Sequence, residues 1–114
     1  MKKDINIFLE HILESIHLIE DYIKGRNKSE FLKLTQLQDS VIRRIEIIGE
    51  AIKNIPDDFR ETYPKIPWKQ IIGMRDILIH QYFGIDLNLT WEVIEKDLPK
   101  LKNQIITIKK EIKD

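Results

Sequence analysis

From Trp91 to Ile112 the apolar residues Trp91, Ile94, Leu98, Leu101, Ile105, Ile108 and Ile112 follow one another at alternating steps of three and four. Only a helix turns such a set to one side, because its period of about 3.6 residues lies between those steps. A strand would scatter the same residues over both faces. The seam is narrow, like that of a coiled coil or bundle, so it calls for partner helices rather than a sheet. Pro99 lies inside it and is expected to kink the helix, since it brings no N–H and its ring crowds the carbonyl four residues earlier.

The same period recurs upstream, where four glycines and four prolines punctuate the whole chain. A first helix is predicted over Asp4–Lys24, with Ile5, Phe8, Ile12, Ile16, Ile19 and Ile23 as its stripe and Gly25 closing it in the left-handed conformation. A second is predicted to start after Ser29 as N-cap, to carry Phe31, Leu34, Val41, Ile45, Ile48 and Ile52, and to stop before Pro56. From Pro56 to Pro67 three prolines and the Asp57-Asp58 pair mark a connector with room for one short helical turn around Phe59. Pro67 suits the first position of a third helix that carries Ile71, Ile72, Met74, Leu78 and Ile79 and fades near Tyr82 or Phe83, before Gly84. The expectation is an all-α fold: an antiparallel four-helix bundle with a short extra helical turn between the second and third helices, formed by residues 1–114 as one domain.

Composition excludes several chemistries. With no cysteine there is no disulfide, thiolate zinc site, iron–sulfur cluster or cysteine nucleophile, which suits a reducing, cytoplasmic setting. Lysine and arginine total 19 and aspartate and glutamate also total 19, so no overall positive field draws nucleic acid in, and any RNA contact must be local. The start Met1-Lys2-Lys3-Asp4-Ile5-Asn6 is too polar for a secretory signal, and no apolar run approaches the ~20 residues of a membrane span.

One run concentrates reactive groups: Arg75-Asp76-Ile77-Leu78-Ile79-His80-Gln81-Tyr82. An arginine that cannot lose its charge and an imidazole that titrates near neutrality are the two groups that a metal-free phosphodiester cleavage needs. Asp76 stands four residues before His80, close enough on a helix to orient the ring and favour its protonated form. Arg75 and His80 are five apart, which on a regular helix separates them by about 140° and about 7.5 Å along the axis. Either the helix unwinds near His80, or a second copy brings its own pair to face the first across a two-fold axis. The second arrangement is the one favoured here, because a symmetric dimer gathers two guanidinium groups and two imidazoles in one cleft.

Other groups carry less. His11 and His17 are six apart and are not placed to share a metal, so both read as surface or boundary residues, and nothing in the sequence calls for a metal or an organic cofactor. Arg43, Glu46 and Glu50 recur along one polar face, where solvated salt bridges are the ordinary explanation. Gly49 beside them would permit close approach of another backbone, and Glu50 could meet Arg75 across the bundle. Tyr82 and Phe83 could stack on a base, expose a hydroxyl for modification, or lid the core.

These residues carry a resemblance. Arg75-Asp76, three residues, then His80-Gln81-Tyr82 resembles the R-x4-H-x-Y motif of HEPN-domain proteins, specifically the HepT-like toxins. Glu46-Ile47-Ile48-Gly49-Glu50-Ala51 resembles the glycine-glutamate-alanine segment of their second helix, Trp68 to Met74 the lead-in to the motif, and Trp91 with Asp97-Leu98-Pro99 the last helix. The resemblance implies a homodimeric helical bundle whose paired motifs form a metal-independent ribonuclease site, with Arg75 and His80 catalytic. It also implies a toxin paired with an MntA-type nucleotidyltransferase antitoxin, which transfers AMP to the motif tyrosine, here Tyr82. Two other readings compete: a non-catalytic nucleotide-binding or adaptor subunit of such a pair, with Arg75 on a nucleotide phosphate, and a purely structural dimerisation bundle.

Overall fold

The computed structural model describes residues 2–80 and 86–112, with side chains from 5 to 76 and from 86 to 112. Among the described residues all regular structure is helical: α1 (Lys2–Ile23), α2 (Lys28–Phe31), α3 (Thr35–Lys53), α4 (Asp57–Thr62), α5 (Trp68–His80), α6 (Leu87–Glu92) and α7 (Leu98–Glu111), with a π-helical turn over Val93–Asp97 joining the last two. Helix α1 packs along α3, α3 along α5, and α7 returns against α1. The four long elements are the expected bundle, and α4 is the expected extra turn.

The predicted stripes are what the bundle buries. Ile5, Ile12, Ile16 and Ile19 of α1 meet Val41, Ile45, Ile48 and Ile52 of α3 and Leu98, Leu101, Ile105 and Ile108 of the last helix in one core, joined by Leu9. Phe8 and Ile23 are only half-buried. Gly25 leaves α1 at φ 74°, the left-handed region that closes a helix without a Cβ clash.

Three local expectations are corrected. The predicted second helix is broken: Asn27, not Ser29, is the cap, its side chain accepting from the Glu30 N–H at 2.9 Å while the Glu30 carboxylate accepts from the Asn27 N–H at 3.1 Å. That capping box starts a single turn, and the chain then extends at Leu34 (φ −104°, ψ 97°) before α3 begins at Thr35. Gln38 holds the break by donating to the Phe31 carbonyl at 2.8 Å. Its result is to drive Phe31 into the core against Trp91, ring centroids 5.3 Å apart, and to leave Leu34 37% exposed. At the C-terminal end, the kink expected of Pro99 takes the form of the π turn, in which the Leu98 N–H reaches back to the Val93 carbonyl. The extra residue in that turn lets neighbouring Val93 and Ile94 both face inward. Pro67, expected to be the first helical residue, stands just before α5, its carbonyl accepting from Ile71 at 3.1 Å.

The connector is anchored through Trp68, whose indole N–H donates to the carbonyls of Arg60 (3.0 Å) and Tyr63 (3.1 Å). Tyr63 in turn donates to Glu111 at 3.3 Å. Partial burial, then the Glu111 carboxylate, raise its phenol above the ordinary value, so it remains a neutral donor. A direct check of the core assignment is Phe31→Ala, expected to cost about 3–5 kcal/mol, against less than about 0.5 kcal/mol for Leu34→Ala. Urea unfolding should show the first as a lower midpoint at unchanged slope.

Candidate active site

The site is built where α3 crosses α5. A Cβ placed on Gly49 would lie 2.7 Å from both Cβ and Cγ of Arg75 and 3.2 Å from its Cδ. The arginine stem therefore lies flat on the glycine, and the close approach foreseen at Gly49 is to this side chain. Held there, the guanidinium reaches Glu50 one residue further along α3, with Nη2 2.9 Å from the carboxylate. Its Nη1 donates to Asp76 Oδ1, also at 2.9 Å. Arg75 is 19% exposed and Glu50 56%, so a largely sequestered cation is tethered by carboxylates at its rim.

A guanidinium has five N–H donors in one plane. One on each terminal nitrogen is used by Glu50 and Asp76, and Nε is buried with no partner among the described residues. Five donors in one plane exceed the two carboxylate contacts made by Arg75 among the described residues, and such a planar fork is what grips a phosphate or carboxylate. The carboxylates fix the plane of the group.

Of the predicted site residues, then, the structure brings Arg75, Asp76 and Glu50 together. The backbone of α5 is helical through His80, which keeps its Cα about 140° around the axis from that of Arg75. The imidazole of His80, all of Tyr82 and the aromatic lid expected of Phe83 lie outside the described residues.

Sequence reasoning passed over one neighbour. His11, read as a surface residue, is exposed but lines a 310 Å³ groove with Phe8, Arg43, Glu46, Ile47, Glu50, Ala51, Asn54 and Arg75. Nothing in the local sequence signals this, because the groove is assembled from α1, α3 and α5. His17 instead faces Glu20 at 3.4 Å, away from the site. Among the described residues no group of three or more histidines, aspartates or glutamates is placed to hold a metal ion, and no helix is long and apolar enough to cross a membrane.

Residues 12–108 match the family described as ribonuclease HepT-like, and the chain belongs to that family. It is 61% identical over 112 residues to a Methanocaldococcus jannaschii protein whose name joins gamma-glutamylcyclotransferase to a provisional RNase designation. That match takes in 98% of this chain and 50% of the relative, so the chain spans half the relative's length. It is 46% identical over 98 residues to a protein of Caldanaerobacter subterraneus subsp. tengcongensis with a provisional RNase name, covering 86% of this chain and 88% of the other. A Thermococcus cleftensis protein named probable ribonuclease HepT is 44% identical over 110 residues, covering 96% of this chain and 100% of that one. No solved structure matches the chain.

Proposed function

We propose that this chain is a metal-independent endoribonuclease, the toxin of a toxin–antitoxin pair, acting on RNA in the cytoplasm. The observation that carries the reading is the Arg75 guanidinium, seated on Gly49 and tethered by Glu50 and Asp76, on the helix that continues to His80. Family membership and the RNase names of the relatives support the same substrate.

In the mechanism His80 removes the proton from a ribose 2′-hydroxyl. The freed oxygen bonds to the adjacent phosphorus, the bond from phosphorus to the 5′-oxygen breaks, and the leaving oxygen takes a proton from water. The products are a 2′,3′-cyclic phosphate and a 5′-hydroxyl, and DNA is resistant for want of the nucleophile. Arg75 grips the phosphate and stabilises the charge that grows on it in the transition state. Asp76 and Glu50 act through Arg75 as positioning residues. The test is cleavage of RNA by the purified chain in EDTA, with product ends mapped. Cyclic-phosphate ends and an inert 2′-deoxy substrate are expected, whereas activity that appears only on adding a divalent metal ion would overturn the mechanism.

Neutralisation follows the same chemistry of charge. An MntA-type nucleotidyltransferase partner would let the Tyr82 hydroxyl oxygen attack the α-phosphorus of ATP, expelling pyrophosphate and leaving AMP on the tyrosine. Seven residues beyond Arg75 on the same segment, that anionic group excludes RNA and competes for the guanidinium. Incubation with the partner and ATP should add the mass of AMP to the intact protein, and Tyr82→Phe should abolish the addition.

A further inference from the structure

The groove beside Arg75 has the make-up of a nucleotide subsite. The half-buried Phe8 and Ile47 and the buried Ala51 give it an apolar portion among polar walls. Arg75 and Glu50 stand at one end; Arg43, seven residues back along α3, stands at the other, about 10.5 Å away along the helix axis. Arg43 is exposed, and although Glu46 lies three residues on and lines the same groove, no ion pair joins them among the described residues, where other oppositely charged neighbours such as Arg26 and Glu30 do pair. Arg43 at one end and the carboxylate-tethered Arg75 at the other, with Phe8 and Ile47 between them, are complementary to one nucleotide lying between two phosphates.

Resting on the nuclease reading, we infer that this groove between α1 and α3 seats the nucleotide next to the scissile phosphate, its base on Phe8 and Ile47 and its far phosphate on Arg43. Stacking on the Phe8 ring is tolerant of base identity, and Glu46, an acceptor only, faces whatever N–H groups the base edge presents.

The test is equilibrium binding of a fluorescent RNA tetranucleotide with 2′-O-methyl riboses, which cannot be cleaved, measured over a range of salt. Arg43→Gln is expected to weaken binding by roughly tenfold and to lower the slope of log K against log salt by about 0.7, the value for one fewer neutralised phosphate on a single strand. Phe8→Leu, which keeps an apolar side chain against the core but removes the stacking face, should weaken binding at least fivefold with the salt slope unchanged. Lys110→Gln removes an equal charge from an exposed site on α7 and should leave the slope as it is. Arg43→Gln with wild-type affinity and slope, or no measurable binding of the tetranucleotide by the wild-type chain, overturns the subsite. Arg43-dependent binding by a chain that does not cleave RNA would instead sustain the subsite and overturn the nuclease reading.

Discussion

Arg75→Ala and His80→Ala chains should each lose RNA cleavage by ~10²-fold or more, yet their co-expressed mixture should recover about a quarter of the wild-type rate. The recovery follows from the geometry of α5. Its backbone stays helical through His80, so within one chain the two positions look about 140° apart and are offset by about 7.5 Å. Two groups so placed do not close on one phosphate, whereas a two-fold axis beside α5 would pair Arg75 of each chain with His80 of the other. In a random mixture half the dimers are mixed, and in each of these one of the two Arg75–His80 pairs in the shared cleft has both groups intact while the other has neither. If Arg75 and His80 of the same chain work together, every pair in the mixture lacks one group and no activity returns. Differently tagged chains purified through both tags isolate the mixed dimer, and its cleavage rate decides between the two arrangements. A chain that remains monomeric throughout would remove the shared cleft altogether.

The parts of this molecule that could be read from sequence are those set by local periodicity. The stripes on α1, α3 and α7 are mostly buried as their three-and-four spacing requires, Phe8 and Ile23 remaining half-buried, and Glu50 meets Arg75 as the polar face of α3 allowed. What escaped depended on competition between residues far apart in the chain. No glycine or proline marks the break at Leu34; it exists because burying Phe31 against Trp91 requires α2 and α3 to part. The capping signal Asn27 to Glu30 was present in the sequence, but Ser29, two residues on, offers an equally good cap by type. The π turn is a related case: Pro99 announces a disturbance, and only the need to turn both Val93 and Ile94 inward decides its form. His11 reached the groove for a reason no spacing within α1 contains, namely the antiparallel packing of α1 on α3.

Gly49→Ala should lower RNA cleavage by about 10²-fold while leaving the protein folded, because it moves Arg75 without touching any reacting group. The added Cβ would meet Cβ and Cγ of Arg75 at 2.7 Å. A rotamer change relieves the Cγ contact but not the Cβ contact, since that atom is fixed by the α5 backbone. Helix α5 must therefore shift away from α3, by up to about 1 Å to reach ordinary van der Waals separation, and a displacement of that size is enough to spoil the alignment of a phosphate grip. Overpacking costs about 1–3 kcal/mol, but alanine gains about 1 kcal/mol over glycine inside a helix, so the net loss of stability stays within about 2 kcal/mol. Gly73 supplies the contrast on α5 itself. A Cβ there meets nothing within 4 Å, and Gly73→Ala should raise stability by about 0.5–1 kcal/mol. Thermal melts of the two variants beside their cleavage rates separate the effects: activity lost in Gly49→Ala at near-native stability places the requirement on the seat of the guanidinium, and full activity in that variant would show that the reaction does not depend on where α3 holds Arg75.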